Sequence, residues 1–96
     1  MPNIRQPVCA DDRWYPRDAA QLRFVLDSFF ARVPKSADAG ELVALIAPHA
    51  GYQFSGQTAA YAYQHLAGTE YERVILLGPS HFQDFGAQAV NAGRFR

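Results

Sequence analysis

The chain has little that would let chemistry be read from it at a glance. Its 96 residues hold one cysteine, Cys9, and no excess of either charge, nine Lys plus Arg balancing nine Asp plus Glu. A lone thiol closes no internal disulfide, so the fold must rest on its core, and single cysteine usage fits a reducing compartment. Balanced charge lacks the basic patch of a nucleic-acid-binding domain and the polybasic stretch that seeks an anionic membrane. The longest apolar run, Leu42 to Pro48, falls far short of the roughly 20 residues that span a bilayer. The opening Met1-Pro2-Asn3-Ile4-Arg5 has no apolar h-region, so no secretory leader is expected and a cytoplasmic location is predicted. Neither G-x-x-x-x-G-K-[ST] nor G-x-G-x-x-G occurs, which removes the common phosphate-cradling fingerprints.

What is present is globular. Hydrophobic residues make up 49% and charged residues 19%, too apolar for disorder, and the length suits one domain, residues 1–96. Asp18 reads as an N-cap with Gln21 as its capping-box partner, opening a helix. Leu22, Val25, Leu26, Phe29, Phe30 and Val33 then repeat at one-face helical spacing, until Pro34 stops the helix. Residues 35–40 read as a loop. The run 42–47 predicts a strand covered on both faces, as in a parallel sheet. Ser55 is the expected N-cap of a second helix over about 56–67, with Gly68 at the left-handed position after it. Val74-Ile75-Leu76-Leu77 predicts a second buried strand. The expected fold is α/β: an N-terminal helix followed by a βαβ unit with parallel strands. A further short strand is expected over 87–91. Two such strands do not make a covered sheet alone, so the chain is expected to be a fragment of a larger α/β/α sheet.

Two histidines occupy equivalent places in this scheme. His49 and His81 each follow the carboxyl end of an expected strand, after Pro48 and Pro79. Ligands of open α/β sheets bind outside those ends, and neighbouring strands lie about 4.8 Å apart. Short loops would then bring both imidazoles to one point, as ligands for iron, zinc or copper. A single loop histidine is ordinarily a polar surface group, and the 32-residue separation matches no compact ligand motif; the matched positions are what single these two out. His65 reads as a helix surface residue, and Cys9 as a bystander thiol. Ser80 beside His81 is no catalytic pair, because adjacent side chains point apart. Ser55-Gly56 suits an anion or a simple cap equally well. Asp84 reads as loop solvation, with support of a metal ligand as the other reading. Trp14, Tyr15, Tyr52, Phe54 and Phe82 flank the expected crevice, either as packing or as the lining of an apolar pocket for a ring-shaped ligand.

Three motifs, in order and spacing, resemble the Memo family, which includes the mediator of ErbB-driven cell motility and the AmmeMemoRadiSam system protein B of bacteria. They are Arg13-Trp14-Tyr15-Pro16, then Ala47-Pro48-His49-Ala50-Gly51-Tyr52 with Phe54-Ser55-Gly56, then Leu77-Gly78-Pro79-Ser80-His81. The resemblance runs across nearly the whole chain and corresponds to the first third of a typical member. It implies a fold similar to the class III extradiol ring-cleaving dioxygenases, which hold non-heme iron at the carboxyl ends of a sheet. It further implies that His49 and His81 are the two N-terminal metal ligands and that Trp14 and Phe54 line the pocket, with Tyr52 between them in sequence. A further histidine and a cysteine come from later segments of family members, and Cys9 does not match that cysteine. Two departures stand out: the small-residue turn before the Trp-Tyr pair reads Asp11-Asp12-Arg13, and the second histidine of a common His-His pair is Phe82.

The resulting expectation is a partial Memo-like α/β domain contributing two histidines to a metal site. In full-length form that site would carry a redox role at iron or copper, acting on an aromatic or peptide ligand between Trp14 and Phe54. Two imidazoles are an incomplete set, so a third ligand would come from Asp84, another subunit or the rest of the chain, and the fragment alone is expected to be inactive. The alternative is a non-enzymatic module that binds a peptide or protein in a vestigial dioxygenase-like crevice.

Overall fold

A computed structural model describes residues 11–35 and 40–81, together with the backbone of 4–5 and 94–95. The expected 87–91 strand, Cys9, Phe82 and Asp84 lie outside the described residues. Contacts divide the chain into two compact units, Val8–Thr69 in one and Met1–Pro7 with Glu70–Arg96 in the other. In the second unit, β1 (Ile4–Arg5) pairs in parallel with β2 (Arg94–Phe95), Ile4 opposite Arg94 and Arg5 opposite Phe95.

The first unit is built on two helices. α1 spans Ala19–Ala31, and the Asp18 carboxylate accepts from the Gln21 N–H at 2.9 Å, satisfying one of the orphan donors of the first turn. The expected face is the one turned inward: Leu22, Val25, Leu26, Phe29, Phe30 and Val33 are all half-buried, while Phe24 between them is 75% exposed. The regular helix stops two residues before Val33. Arg32 and Val33 close it with N–H bonds to the Phe29 and Phe30 carbonyls, because the residue before Pro34 is held out of the helical region.

α2 spans Tyr52–Tyr63 and tightens into a 3₁₀ turn over Gln64–Leu66, with Gly68 at φ +80° after it. It begins four residues before the expected start. Gly51 is the N-cap, and Ser55 lies inside the first turn, its hydroxyl donating to the Ala50 carbonyl at 3.2 Å. α2 packs on α1 through Gly56 and Ala60, both buried. A Cβ at Gly56 would lie 2.5 Å from Cε2 of Phe29, so only glycine admits the ring there. The Gln57 side chain reaches across, Nε2 donating to the Phe29 carbonyl at 2.9 Å. A cavity of about 70 Å³ remains between the helices, bounded in part by Leu26, Phe30, Tyr52 and Tyr63.

The expected βαβ unit is not formed. Residues 42–47 and 74–77 carry no strand, and the two-residue β1/β2 pair is the one ladder among the described residues. Val43 is 91% exposed, Ile46 98% and Leu77 94%. The physical reason is the ladder itself: a parallel strand draws its hydrogen bonds from neighbours and its burial from helices on both faces. Neither run has such cover here, so apolar composition alone does not make it a strand, and the α/β/α sheet expected around them is likewise not seen. No helix among the described residues is long and apolar enough to cross a membrane.

Candidate functional site

Two of the three sequence motifs meet in the first unit. The segment Arg13–Pro16 precedes α1, and His49–Gly51 leads into α2. Their backbones touch: the Tyr52 N–H donates to the Trp14 carbonyl at 2.8 Å. The first N–H groups of a helix have no partner within it, and here one of them is taken up by a carbonyl from far back in the chain. Gly51 makes the approach tolerable, since a Cβ there would lie 3.3 Å from the Arg13 carbonyl oxygen and 3.6 Å from the Trp14 Cα. Phe54 and Ser55 donate their N–H groups back to the Gly51 carbonyl, completing the turn.

Aromatic rings gather around this junction. The Tyr15 and Tyr52 ring centroids are 5.6 Å apart with planes tilted by 34°, an offset arrangement that aromatic pairs favour. Tyr52 is half-buried and bounds the interhelical cavity, whereas Trp14 is 47% and Phe54 79% exposed. The Phe54 ring lies 3.7 Å from where a Gly51 Cβ would be. Burial pushes the Tyr52 phenol above its ordinary value, with Tyr15 and Tyr63 adding to the effect. Each of the two motifs carries a tyrosine, Tyr15 and Tyr52, but nothing in the sequence pairs Tyr52 with the Trp14 carbonyl.

The segment before Trp14 is polar and internally hydrogen-bonded. The Asp11 carboxylate accepts from Arg13 Nη2 at 2.7 Å and Nε at 3.0 Å, and from the Arg13 backbone N–H at 3.1 Å. The Arg13 hydrogen bonds hold the Asp11 carboxyl below its ordinary range. Asp12 sits at φ +67° and its carboxylate accepts from the Arg17 N–H at 2.8 Å.

His49 is exposed and lies three residues before the Tyr52 that the Trp14 carbonyl holds. His81, also exposed, belongs to the unit containing Glu70–Arg96. His65 falls in the 3₁₀ turn that follows α2. Among the described residues, no group of three or more His, Cys, Asp or Glu is placed to hold one ion.

A family profile described as Memo-like protein matches residues 5–94. The chain is 55% identical over 42 residues to a Protein memo-1 homolog of Caenorhabditis elegans, covering 44% of this chain and 12% of that protein. It is 41% identical over 86 residues to a MEMO1 family protein of Methanopyrus kandleri, covering 80% of this chain and 30% of the relative. Protein MEMO1 of Xenopus tropicalis is 40% identical over 68 residues, 71% of this chain and 22% of that one. The chain thus spans less than a third of the length of these relatives. No solved structure matches.

Proposed function

This chain belongs to the Memo-like family, and on that premise we propose that it contributes His49 and His81 to one metal site, with iron or copper as the ion. The observation that carries the reading is the bond from the Tyr52 N–H to the Trp14 carbonyl. It ties the Arg13–Pro16 motif to the Ala47–Tyr52 motif and holds the backbone three residues after His49. Neutral imidazole suits iron and copper in kind, and both histidines are accessible. In number the two fall short of the three protein ligands such sites commonly use, so a further donor comes from outside the described residues, from the remainder of a longer chain or from another subunit.

When bound, the metal supplies redox chemistry. The chain's own residues orient and select. Trp14 and Phe54 both expose aromatic surface, and both have atoms within 4 Å of where a Gly51 Cβ would be; such surface suits an aromatic ring or an apolar peptide side chain. Tyr52, half-buried, stacks near Tyr15 and bounds the interhelical cavity. The chain's action is placed in the cytoplasm on the strength of the lone cysteine, which suits a reducing compartment.

Metal analysis of the intact protein beside its His49→Ala, His81→Ala double variant tests the proposal. Loss of the bound ion in the variant is expected, and equal metal content in both would refute the ligand assignment. A second reading drops catalysis: the exposed Trp14 and Phe54 surface needs no metal to bind a peptide. Oxygen uptake with catechol-type substrates separates the two, since a pure binder gives none above free metal.

A further inference from the structure

The Asp11-Asp12-Arg13 turn precedes the Trp14-Tyr15 pair and holds a cluster of side-chain to backbone hydrogen bonds. Asp12 and Arg17 flank the Arg13-Trp14-Tyr15-Pro16 motif on its two sides, and the Asp12 carboxylate accepts from the Arg17 N–H at 2.8 Å. One side chain therefore pinches the four-residue motif into a closed loop. Asp12 adopts φ +67° to do so, a left-handed conformation that Asp tolerates better than most residues because its short carboxylate bonds nearby backbone. Beside it, Asp11 chelates the Arg13 side chain and backbone N–H, which fixes the residue whose carbonyl oxygen lies against Gly51. The loop so closed presents the Trp14 carbonyl to the Tyr52 N–H.

We infer that Asp12 is a positioning residue for His49: by closing the Arg13–Pro16 loop onto the Arg17 N–H it sets the Trp14 carbonyl, which in turn fixes the start of α2 and the histidine three residues before it. Asp12 touches no ligand in this scheme and acts only through the backbone. A shared cap of α1 would not serve the same end, because Asp18 already provides that cap. The inference rests on the reading of His49 as a site residue only for its purpose; the geometry it describes is independent of any ion.

The test is amide hydrogen exchange and histidine-ring NMR on the 96-residue chain without metal. Asp12→Gly removes the acceptor while relieving the positive φ, and Asp12→Asn keeps both an acceptor and tolerance of that φ. The Tyr52 amide should exchange about tenfold faster in Asp12→Gly, the scale of one hydrogen bond to a charged acceptor, and the His49 ring signals should move with it. Amides within α1, such as Phe29, should keep their protection, and Asp12→Asn should restore both Tyr52 and His49. A merely structural role would lower protection in α1 and α2 alike, and that pattern would overturn the inference. So would an unchanged Tyr52 amide in Asp12→Gly, or a Tyr52 amide that already exchanges at the free-peptide rate in the unaltered chain. Since no metal enters the measurement, a failure of the metal reading leaves this result standing, and the reverse holds as well.

Discussion

The Phe29 ring rests on the backbone of Gly56, so that a methyl group at Gly56 would fall 2.5 Å from Cε2 and 2.9 Å from Cζ of that ring. Gly56→Ala sets two effects against each other. Alanine is favoured in a helix interior by about 1 kcal/mol, while overpacking of this kind costs about 1–3 kcal/mol. Both clashing atoms belong to a ring wedged between helices, so the clash wins and a net loss of about 1 kcal/mol is expected in chemical denaturation. Phe29→Leu in the Gly56→Ala background should recover part of it. A more stable Gly56→Ala chain would show that the helices part freely at this point.

Gln57 gives an opposite expectation. Its Nε2 donates to the Phe29 carbonyl, but that carbonyl also accepts from the Arg32 N–H. Its Oε1, meanwhile, is buried with no donor among the described residues, a situation that costs about 1–3 kcal/mol. Gln57→Leu therefore removes a bond whose acceptor keeps another partner and lifts a desolvation cost. Stability should stay level or rise by up to about 1 kcal/mol, whereas Gln57→Glu, which puts charge in the same place, should lose about 2 kcal/mol or more. Denaturation midpoints of the two variants decide; a destabilised Gln57→Leu would mean that Oε1 has a donor after all.

How much of this was legible in the residues follows from how local each signal is. Asp18 and the Leu22-to-Val33 spacing specify α1 within sixteen residues, and the helix carries both the cap and the face they imply. The start of α2 depends on the Trp14 carbonyl, a partner that no window around Tyr52 contains, so Ser55 looked like the cap. Residues 42–47 and 74–77 say only that something apolar should cover them. Which partner does so is a tertiary fact, and the exposure of Ile46 and Leu77 shows that composition alone does not supply it. The strand-end argument for joining His49 to His81 falls with those strands. What remains for the pair is that both fall within the residues the family profile matches, together with the bond that holds Tyr52 three residues after His49.

Two groups make the chain's stability depend on pH at opposite ends of the scale. The Arg13 hydrogen bonds hold Asp11 below its ordinary value, so its contribution is present above the unfolded carboxylate range and is lost as pH falls through the depressed folded value. Tyr52 is raised, by burial first and then by Tyr15 and Tyr63. Its contribution is complete below the ordinary tyrosine value and is lost as pH rises through the raised one. Side-chain carbon NMR titration should find Asp11 moving back up in Arg13→Ala, and Tyr52 moving down in Tyr15→Phe. A Tyr52 that ionises at or below the ordinary tyrosine value would contradict the packing described around it.

The proposal that His49 and His81 share one ion is tested most directly by titrating Zn²⁺ into the ¹⁵N-histidine-labelled protein and following every ring by NMR. His49 and His81 should shift together along one binding curve, with His65 unmoved, because ligand nitrogens about 2.0–2.1 Å from a single ion must respond as one. Separate curves, or a His81 that stays still while His49 shifts, would contradict a shared ion.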